Sequence, residues 1–460
     1  VYTLTCFTVF KYSSAEHQEK KMNKQIIYVF LIHFLCYFSL FLVEKSWKII
    51  LFYAAQTLVA VLYMTVYHTI YPKSSRIITN NMCFLLLIGY TMLTRINFSL
   101  ALKQFAIATV SLILVSFIPY IMLKIKTFRN YNFIYGILGI MALSSVFILG
   151  VSKYGATNWI SIGGLSIQPS EFVKILFVFF IASMLARGLD KINIMILTIM
   201  VCMHLGVLVL EKDLGGAAIF FVIYLFMLYC ATEKIMVFGI TVAGGLAMAG
   251  LAFLIFRDKL FYHVSVRIQA WRDPWSVIDN QGYQIAQSLF AIVTGGWIGS
   301  GLGQGSPMSI PVRESDFIFS AIAEELGVLF ALALVLICFS CFICFVNIAL
   351  KARNMFYKSL ALGFSVCYIF QVFLSIGGVT KFIPSTGVTL PLVSYGGSSV
   401  LCTLVIFSIM QGVCIITNKE ADKIEKEKRS YLKDSPDDKE VGETIKSKTR
   451  EKKNQENFDF

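Results

Sequence analysis

The chain has 460 residues, of which 57% are hydrophobic and only 15% are charged, and its mean hydropathy is +0.73. Soluble domains average about 25% charged residues, so this composition excludes a soluble globular protein and predicts an all-α integral membrane protein. The formal net charge of +13 does not indicate nucleic-acid binding, because the positive residues lie mostly in short loops between apolar spans.

The first 24 residues are predicted to form a cytoplasmic N-terminal segment. Met22 opens directly onto the first apolar run, like a conventional protein start, so residues 1–21 are interpreted as an extension or an alternative start. No signal peptide is expected, because no small-residue cleavage site follows a short apolar core.

Twelve apolar runs are long enough to cross a bilayer, which takes about 20 residues per helix. We predict two additional helices over 25–76 and a ten-helix core over 77–418 with a large loop at 257–316. The predicted spans are 25–43, 49–71, 77–93, 105–124, 132–150, 170–186, 192–210, 214–231, 235–256, 317–349, 356–379 and 393–418.

Lysine and arginine residues of the short loops fall on one side of this bundle, and by the positive-inside rule that side is cytoplasmic. Both termini are then predicted inside, and the loops 151–169, 257–316 and 380–392 outside. The residues that decide this are Lys20, Lys21, Lys24, Lys73, Arg76, Lys124, Lys126, Arg129, Arg187, Lys191, Lys351, Arg353 and Lys358.

The C-terminal segment 419–460 has a different composition. It carries 12 Lys and Arg and 12 Asp and Glu, and almost no apolar period. This pattern predicts a solvated cytoplasmic tail that is disordered or loosely helical.

The eleven cysteines and five histidines form no recognisable metal site. Cys338, Cys341 and Cys344 follow one face of a predicted helix, and no histidine lies near them at ligand spacing. We interpret the cysteines as small buried apolar side chains and predict no metal ligands among the side chains.

Carboxylates at the mouth of an apolar segment mark the most informative region of the chain. Asp316 and Glu314 precede this segment, and Glu324 lies within it. Charged groups near hydrocarbon are costly and indicate function. The alternative is a plain helix start, in which Ser315 caps the helix and Asp316 favours its positive end.

The segment at Asp316 resembles the SEDS family of cell-wall polymerases, the RodA, FtsW and SpoVE group. That family has an Asp-Phe-Ile-Phe motif followed by Glu-Glu-Leu-Gly, as at 316–319 and 324–327 here. Other segments resemble family loops in family order between residues 78 and 418. They are 155–159, 168–174, 213–215, 282–288, 299–303 and 384–399.

This resemblance implies a peptidoglycan glycosyltransferase in the bacterial plasma membrane that polymerises lipid II during cell division, elongation or sporulation. The acceptor GlcNAc 4-hydroxyl would attack C1 of the donor MurNAc, and undecaprenyl pyrophosphate would leave. It also implies resistance to moenomycin. The implied partners are a class B penicillin-binding protein, which is a transpeptidase, and other divisome or elongasome membrane proteins.

Such a transfer needs a carboxylate that accepts a proton, and cations or a bound metal such as Mg²⁺ or Mn²⁺ that neutralise the pyrophosphate. The resemblance implies that Asp316 is the base. No nucleotide is expected, since the glycine-rich segment 299–303 lacks the Lys-Ser/Thr of a phosphate loop. Further polar candidates are Asp213, Lys212, Arg267 and Arg313. The predicted substrate-binding residues are Arg95, Trp159, Gln168, Ser170, Glu171, Lys174, Glu314, Lys381, Ser394, Tyr395, Gly396, Gly397 and Ser398.

Several of these residues have simpler interpretations. Glu171 and Lys174 are three residues apart and could form an ordinary surface ion pair. Trp159 is equally well explained as an interfacial anchor. Glycines and serines after Tyr395 could serve close helix packing, and Glu324 could be a buried partner of another helix.

The chain also departs from the family pattern. Asn158 stands where Arg is common, Glu211 and Lys212 where Gln-Pro is common, and Ser375 where Asn is common. Two other functions stay open: a lipid II flippase, since intramembrane charges also suit transport, and a non-catalytic scaffold, for which Asp316 would be dispensable.

Overall fold

The computed structural model describes residues 1–9, 15–125, 127–153, 156–162, 165–256, 262–279 and 281–434. Within these ranges, twelve helices are long and apolar enough to cross a membrane, which confirms the predicted all-α membrane fold. Among the sequence predictions, those on Lys126, on Gly155, on the loop segment 257–261 and on the tail beyond residue 434 lie outside the described residues.

The spans follow the predicted order, and two of them are interrupted: α5 with α6, and α7 with α8, each form one span. The helices are α1 Tyr2–Thr8, α2 Ala15–Glu44, α3 Trp47–Ile70, α4 Arg76–Ile96, α5 Phe98–Val115, α6 Ile118–Lys124, α7 Asn132–Ser144, α8 Val146–Leu149, α9 Pro169–Arg187, α10 Lys191–Leu210, α11 Leu214–Thr232, α12 Ile235–Phe256, α13 Tyr262–Arg272, α14 Gln281–Gly295, α15 Ile318–Leu326, α16 Val328–Lys351, α17 Met355–Val379 and α18 Gly397–Asp434.

Local chemistry explains where these helices begin. The side chain of Asn97 accepts hydrogen bonds from the first N–H groups of α5, and Asp213 accepts one from Gly216 at the start of α11. Pro169 lies in the first turn of α9, where an N–H would have no acceptor within the helix. Asp213 and the neighbours of Pro169, Gln168 and Ser170, also place polar side chains at the same end of the bundle.

The centre of the bundle is formed by α4, α9, α17 and α18. The apolar window of α4 is 100% buried, and those of α9, α17 and α18 are 72%, 72% and 83% buried. By contrast, α12 lies at the periphery with 0% of its window buried. These closely packed central helices therefore hold the ends of the polar loops in place.

The predicted long span 317–349 is wrong, because the chain breaks at Gly327. This residue has φ +86°, and a Cβ there would lie 2.4 Å from the carbonyl carbon of Ile298. Short helix α15 ends at this break and the spanning helix α16 begins after it. Ser300 and Gly301 donate their N–H groups to the carbonyls of Glu324 and Glu325, so the loop after α14 closes the end of α15.

A small antiparallel sheet, which was not predicted, forms part of the loop before α9. Its strands are β1 Gly150–Lys153, β2 Ala156–Ile162 and β3 Leu165–Ile167, in the order β1-β2-β3. The register pairs Val151 with Trp159. The sheet leads directly into Gln168 and α9.

The N-terminal segment and the start of the tail both continue the helical structure of the bundle. Helix α1 packs into the bundle, and Tyr2 donates a hydrogen bond of 2.7 Å to Asn81 Oδ1. At the other end, α18 continues to Asp434, well past residue 419 where the tail was predicted to start. The first part of the tail is therefore helical.

Successive spans alternate in direction, so the connections between them fall alternately at two ends of the bundle. The sheet, the turn after α10, the segment from α13 to α15 and the segment between α17 and α18 all fall at one end. These connections carry the motifs described above.

Candidate active site

Asp316 lies in a turn directly before α15. Among the described residues, no side chain caps the start of α15 at Ile318 by a hydrogen bond, so the capping role considered for Ser315 is not observed. The hydroxyl of Ser394 donates to the carbonyl oxygen of Ser315 at 2.6 Å. The N–H of Tyr395 donates to the carbonyl oxygen of Glu314 at 2.8 Å. The segment between α17 and α18 thus fixes the backbone that presents Asp316.

The surroundings of the Asp316 carboxyl raise its pKa. Burial is the main cause, and the charge of Glu314 adds to it, whereas a hydrogen bond from Ser315 and the charge of Arg267 lower the pKa. Gly387 has φ +72°, and a Cβ on it would lie 3.6 Å from Asp316 Oδ2. The carboxylate of Asp316 therefore lies beside the backbone of Gly387, which has no side chain. Arg267 is the cation that acts on this carboxylate.

Asp213 forms a second carboxylate centre at the same end. Its Oδ2 accepts hydrogen bonds from Ser170 Oγ at 3.0 Å and from Gln168 Nε2 at 3.2 Å, while Oδ1 accepts from the N–H of Gly216 at 2.8 Å. Gln168 and Ser170 were predicted to bind substrate. In the structure they join α9 to the start of α11 through Asp213.

Arg267 on α13 lies within electrostatic range of both carboxylates. Burial lowers the pKa of its guanidinium, and the charges of Asp316 and Asp213 both oppose that shift. Its Nη1 also donates to the carbonyl of Ser385 at 3.4 Å. We call Asp213, Arg267 and Asp316 the acid–arginine cluster. The sequence identified Arg267 as a basic candidate, but the predicted substrate-binding set did not include it.

Lys174 and Glu171 form an ion pair inside the bundle, so the surface-pair interpretation is wrong. The ammonium nitrogen of Lys174 lies 2.8 Å from Glu171 Oε2, and the Lys174 side chain is 3% exposed. Lys174 also donates to Gln371 Oε1 at 2.8 Å, and Gln371 donates to the carbonyl of Thr389. Gln371 was not identified from the sequence, although an amide within an apolar span was a usable signal.

The residues from Ser394 to Ser398 are held by buried polar contacts. Gln104 on α5 donates to the carbonyl of Ser394 and accepts from the N–H of Gly396. A Cβ on Gly397 would lie 3.1 Å from Ile107 Cδ1, which supports the close-packing role for this glycine. Ser398 is buried at the start of α18.

Arg95 is engaged elsewhere in the fold. Its Nε lies 2.9 Å from Glu325 Oε1, and its Nη2 donates to the carbonyl of Gly305. The adjacent Glu324 is buried and accepts from the N–H of Ser306 at 2.8 Å. Arg95 therefore ties α4 to α15 and to the loop before it, and its predicted role in substrate binding stays a prediction.

The remaining predicted residues lie in the loops at the same end of the bundle. Tyr395 is half-buried, and burial, followed by the charge of Glu314, raises its pKa. Trp159 is half-buried on β2 opposite Val151. Lys381 is half-exposed, and its carbonyl oxygen accepts a hydrogen bond of 3.0 Å from Trp271 Nε1. These contacts suit an anchoring role as well as a binding role.

Across the described ranges, His, Cys, Asp and Glu side chains form no group of three or more that could hold a metal ion. The cations placed near the carboxylates are Arg267 and Lys174. Arg267 is the cation of this pair that could meet an anionic group directly, because Lys174 is already paired with Glu171 and Gln371.

The sequence matches known proteins over most of its length. The profile of the FtsW, RodA and SpoVE family, described as a cell cycle protein, matches residues 77–419. The peptidoglycan glycosyltransferase RodA of Mycobacterium tuberculosis H37Rv is 36% identical over 306 residues, which cover 62% of this chain and 64% of that protein. The probable peptidoglycan glycosyltransferase FtsW of Bacillus subtilis 168 is 32% identical over 332 residues, which cover 68% of this chain and 80% of that protein. The match thus spans less than two thirds of the length of the mycobacterial RodA.

Two solved structures share the fold. One belongs to a study of how a peptidoglycan synthase complex coordinates polymerization and crosslinking; it has a TM-score of 0.62 and 22% identity, and covers 75% of this chain and 98% of that chain. The other is the rod shape determining protein RodA of Thermus thermophilus, with a TM-score of 0.57, 21% identity, and coverage of 74% and 96%. At these identities the likeness establishes the fold.

Proposed function

Because the chain belongs to the FtsW, RodA and SpoVE family, we propose that it is a peptidoglycan glycosyltransferase that polymerises lipid II into glycan strands. The observation that carries this proposal is the position of Asp316. Its carboxyl lies beside Arg267 and the bare backbone of Gly387, in a turn fixed by Ser394. We assign the role of general base to Asp316 and that of the cation for the leaving anion to Arg267.

Asp316 accepts the proton of the acceptor sugar hydroxyl in this mechanism. The hydroxyl oxygen forms a bond to C1 of the donor MurNAc, and the bond between C1 and the pyrophosphate oxygen breaks, with its electron pair leaving on undecaprenyl pyrophosphate. Attack from the opposite face inverts the configuration at C1. The raised pKa of Asp316 suits this role, because a stronger base accepts the proton more readily.

Arg267 and Lys174 supply positive charge for the pyrophosphate. Arg267 is half-buried beside Asp316, where low water content strengthens its attraction for an anion. Lys174 is buried deeper and needs its neighbours Glu171 and Gln371 to move if it is to touch substrate. Arg267 is thus the first contact we assign to the leaving group.

A divalent cation such as Mg²⁺ or Mn²⁺ stays a proposal without an assigned site. The described residues offer no three-ligand cluster, and the mechanism above uses no step through a metal. A cation that acts in this reaction would have to be held largely by the substrate pyrophosphate and water. We propose no nucleotide.

The orientation and the domain division are proposed on the basis of charge and sequence. The end that carries the acid–arginine cluster faces away from the cytoplasm, because the short loops at the opposite end carry the lysine and arginine residues. Residues 77–418 form the catalytic core, and the helices within 25–76 are an addition that docks through contacts such as the 2.8 Å hydrogen bond between Tyr37 and Thr94. Residues 419–460 lie in the cytoplasm.

The proposed partners are lipid II, a class B penicillin-binding protein and further membrane proteins of the division or elongation machinery. Support for the transpeptidase comes from the fold shared with a chain of a peptidoglycan synthase complex. We propose no nucleic-acid partner, because the positive charge lies in loops at the membrane surface.

Purified protein incubated with labelled lipid II tests the proposal. Glycan strands that form in the presence of moenomycin, which inhibits the unrelated class of polymerase, would support it. Transport of labelled lipid II across a vesicle bilayer without any glycan product would instead identify a flippase. Product that is lost on adding moenomycin would indicate a contaminating polymerase.

A further inference from the structure

Helix α14 lies along α15, the short helix that directly follows the turn of Asp316. Near the start of α15, the side chain of Ser288 on α14 contacts that of Ser320. Near the end of α15, the two backbones are so close that a Cβ on Gly295 would lie 2.1 Å from the carbonyl oxygen of Ala323. Helix α14 therefore contacts α15 along its length.

The hydroxyl of Ser288 links three helices. Its Oγ lies 2.7 Å from Ser320 Oγ on α15 and 2.8 Å from the carbonyl oxygen of Val379, the last residue of α17. A serine hydroxyl has one hydrogen to donate and two lone pairs that accept. Because the carbonyl can only accept, Ser288 donates to Val379 and accepts from Ser320. Both serines are 0% exposed, so bulk water does not compete for these bonds.

The two ends of α15 are held in different ways. At its end, backbone N–H groups of the loop after α14 donate to the carbonyls of Glu324 and Glu325. At its start, no side chain caps the helix by a hydrogen bond within the described ranges. The bond from Ser320 to Ser288 is thus the side-chain contact that holds the first turn of α15 to α14 and, through Val379, to α17.

Loss of the Ser288 hydroxyl would free the hydroxyl of Ser320 for another acceptor. A serine in a helix commonly donates to the carbonyl oxygen four residues before it, and for Ser320 that residue is Asp316. Such a bond would draw the backbone of Asp316 into the first turn of α15. The direction of its carboxylate would change with it.

We infer that Ser288 is a positioning residue: it accepts the hydrogen of Ser320, ties it to the end of α17, and so fixes the turn that presents the Asp316 carboxylate to the acceptor sugar. This inference rests on the proposed function for its catalytic effect. Proton transfer and attack tolerate little displacement of the reacting groups. Because Ser288 is buried away from substrate, its loss should lower kcat and leave KM nearly unchanged.

Steady-state polymerisation from labelled lipid II is compared for the wild type, Ser288→Ala and the matched control Ser365→Ala. Ser365 is also 0% exposed, and its hydroxyl donates to the carbonyl of Ala361 within the same helix. The two changes therefore remove equally buried hydroxyl groups. For Ser288→Ala, kcat should fall about tenfold or more with KM within about twofold, whereas Ser365→Ala should keep both within about twofold.

Ser320→Ala removes the same contact from the other side. It leaves the bond from Ser288 to Val379 in place, so it reports on the contact even where Ser288→Ala fails to fold. Its kcat should also fall, and the double variant should be no worse than the poorer single variant, because both changes remove one shared bond. Independent losses that multiply in the double variant would contradict the shared bond.

Hydrogen–deuterium exchange gives a readout that does not depend on catalysis. The N–H groups of Ser320 and Ala321 both donate to the carbonyl oxygen of Phe317 in the first turn of α15. If Ser288 holds this turn, these two N–H groups should exchange about tenfold faster in Ser288→Ala than in Ser365→Ala. Equal exchange in the two variants would overturn the inference.

The outcomes separate the inference from the proposed function. A wild type that makes no glycan, although Ser288→Ala loosens the turn, would remove the proposed function and with it the catalytic role of Ser288. An active wild type for which Ser288→Ala and Ser365→Ala share the same kcat and the same exchange would overturn the inference and leave the proposed function intact. A fall in kcat together with faster exchange in Ser288→Ala alone supports both.

Discussion

The hydroxyl of Ser394 donates a 2.6 Å hydrogen bond to the carbonyl oxygen of Ser315, across 79 residues of sequence. The same hydroxyl accepts from the N–H of Leu390, so it is fully engaged within the protein. The residue after Ser315 is Asp316. The segment between α17 and α18 therefore positions the proposed base, and the substrate contacts predicted for this segment stay a prediction.

We predict that Lys174→Ala lowers both stability and catalysis. The change leaves Glu171 buried without its cation, which costs about 3–5 kcal/mol of unfolding free energy. A lost contact to pyrophosphate of about 1.5–3 kcal/mol would lower kcat/KM by roughly 10- to 150-fold. Thermal unfolding and steady-state kinetics measure the two effects.

The double variant with Glu171→Gln and Lys174→Met separates these effects. It removes both charges, so its stability should recover most of the loss. Its kcat/KM should stay low if Lys174 touches the substrate. Recovery of both stability and wild-type kinetics would limit Lys174 to a structural role.

Arg267→Ala should shift the acidic limb of the pH–rate profile upward. The charge of Arg267 lowers the pKa of Asp316, so its removal raises that pKa, and a higher pH is needed to ionise the base. The rate on the plateau should also fall, by about 10²-fold or more, because the leaving group loses a cation. If the acidic limb of the pH–rate profile is unchanged and only the plateau rate falls, Arg267 stabilises the leaving group but does not lower the pKa of Asp316.

Gly327→Ala should destabilise the protein and reduce polymerisation. The residue has φ +86°, and its Cβ would overlap the backbone at Ile298, so the expected loss exceeds about 1 kcal/mol. Because α15 would move together with Asp316, which lies directly before it, activity should fall too.

Gly206→Ala is the matched control. Gly206 lies in α10 with no described atom within 4 Å of a Cβ, so the free energy of unfolding of this variant should stay within about 1 kcal/mol of the wild type. Equal behaviour of the two variants would contradict the strained break.

Single-cysteine labelling tests the orientation. Cysteine at the exposed position Asp279 should react with a membrane-impermeant thiol reagent in intact cells, and cysteine at the exposed position Lys234 should react only after permeabilisation. The background must lack Cys230, the cysteine that is exposed within the described residues. The reverse pattern would place the acid–arginine cluster on the cytoplasmic side.

The sequence was sufficient to predict the membrane spans, because these depend on hydropathy. It was also sufficient to predict that the motif loops lie at one end of the bundle, because successive spans alternate in direction. It did not reveal the break at Gly327, since apolar residues continue on both sides of it. The burial of Lys174 was also missed: a spacing of three residues is the same for an exposed and a buried pair. Arg95 finds its partner Glu325 at a distance of 230 residues, which no local pattern could indicate.

The most direct test of the account is glycan synthesis from labelled lipid II by purified wild type, Asp316→Asn and Asp316→Glu, each with the same co-purified partner. Asparagine preserves size but cannot accept a proton, so polymerisation should fall by about 10²–10⁴-fold while thermal stability and partner binding persist. Glutamate should also be poor, because it displaces the carboxylate by about one methylene. Polymerisation by Asp316→Asn at the wild-type rate would contradict the assignment of Asp316 as the base and leave transport or scaffolding as the better explanation.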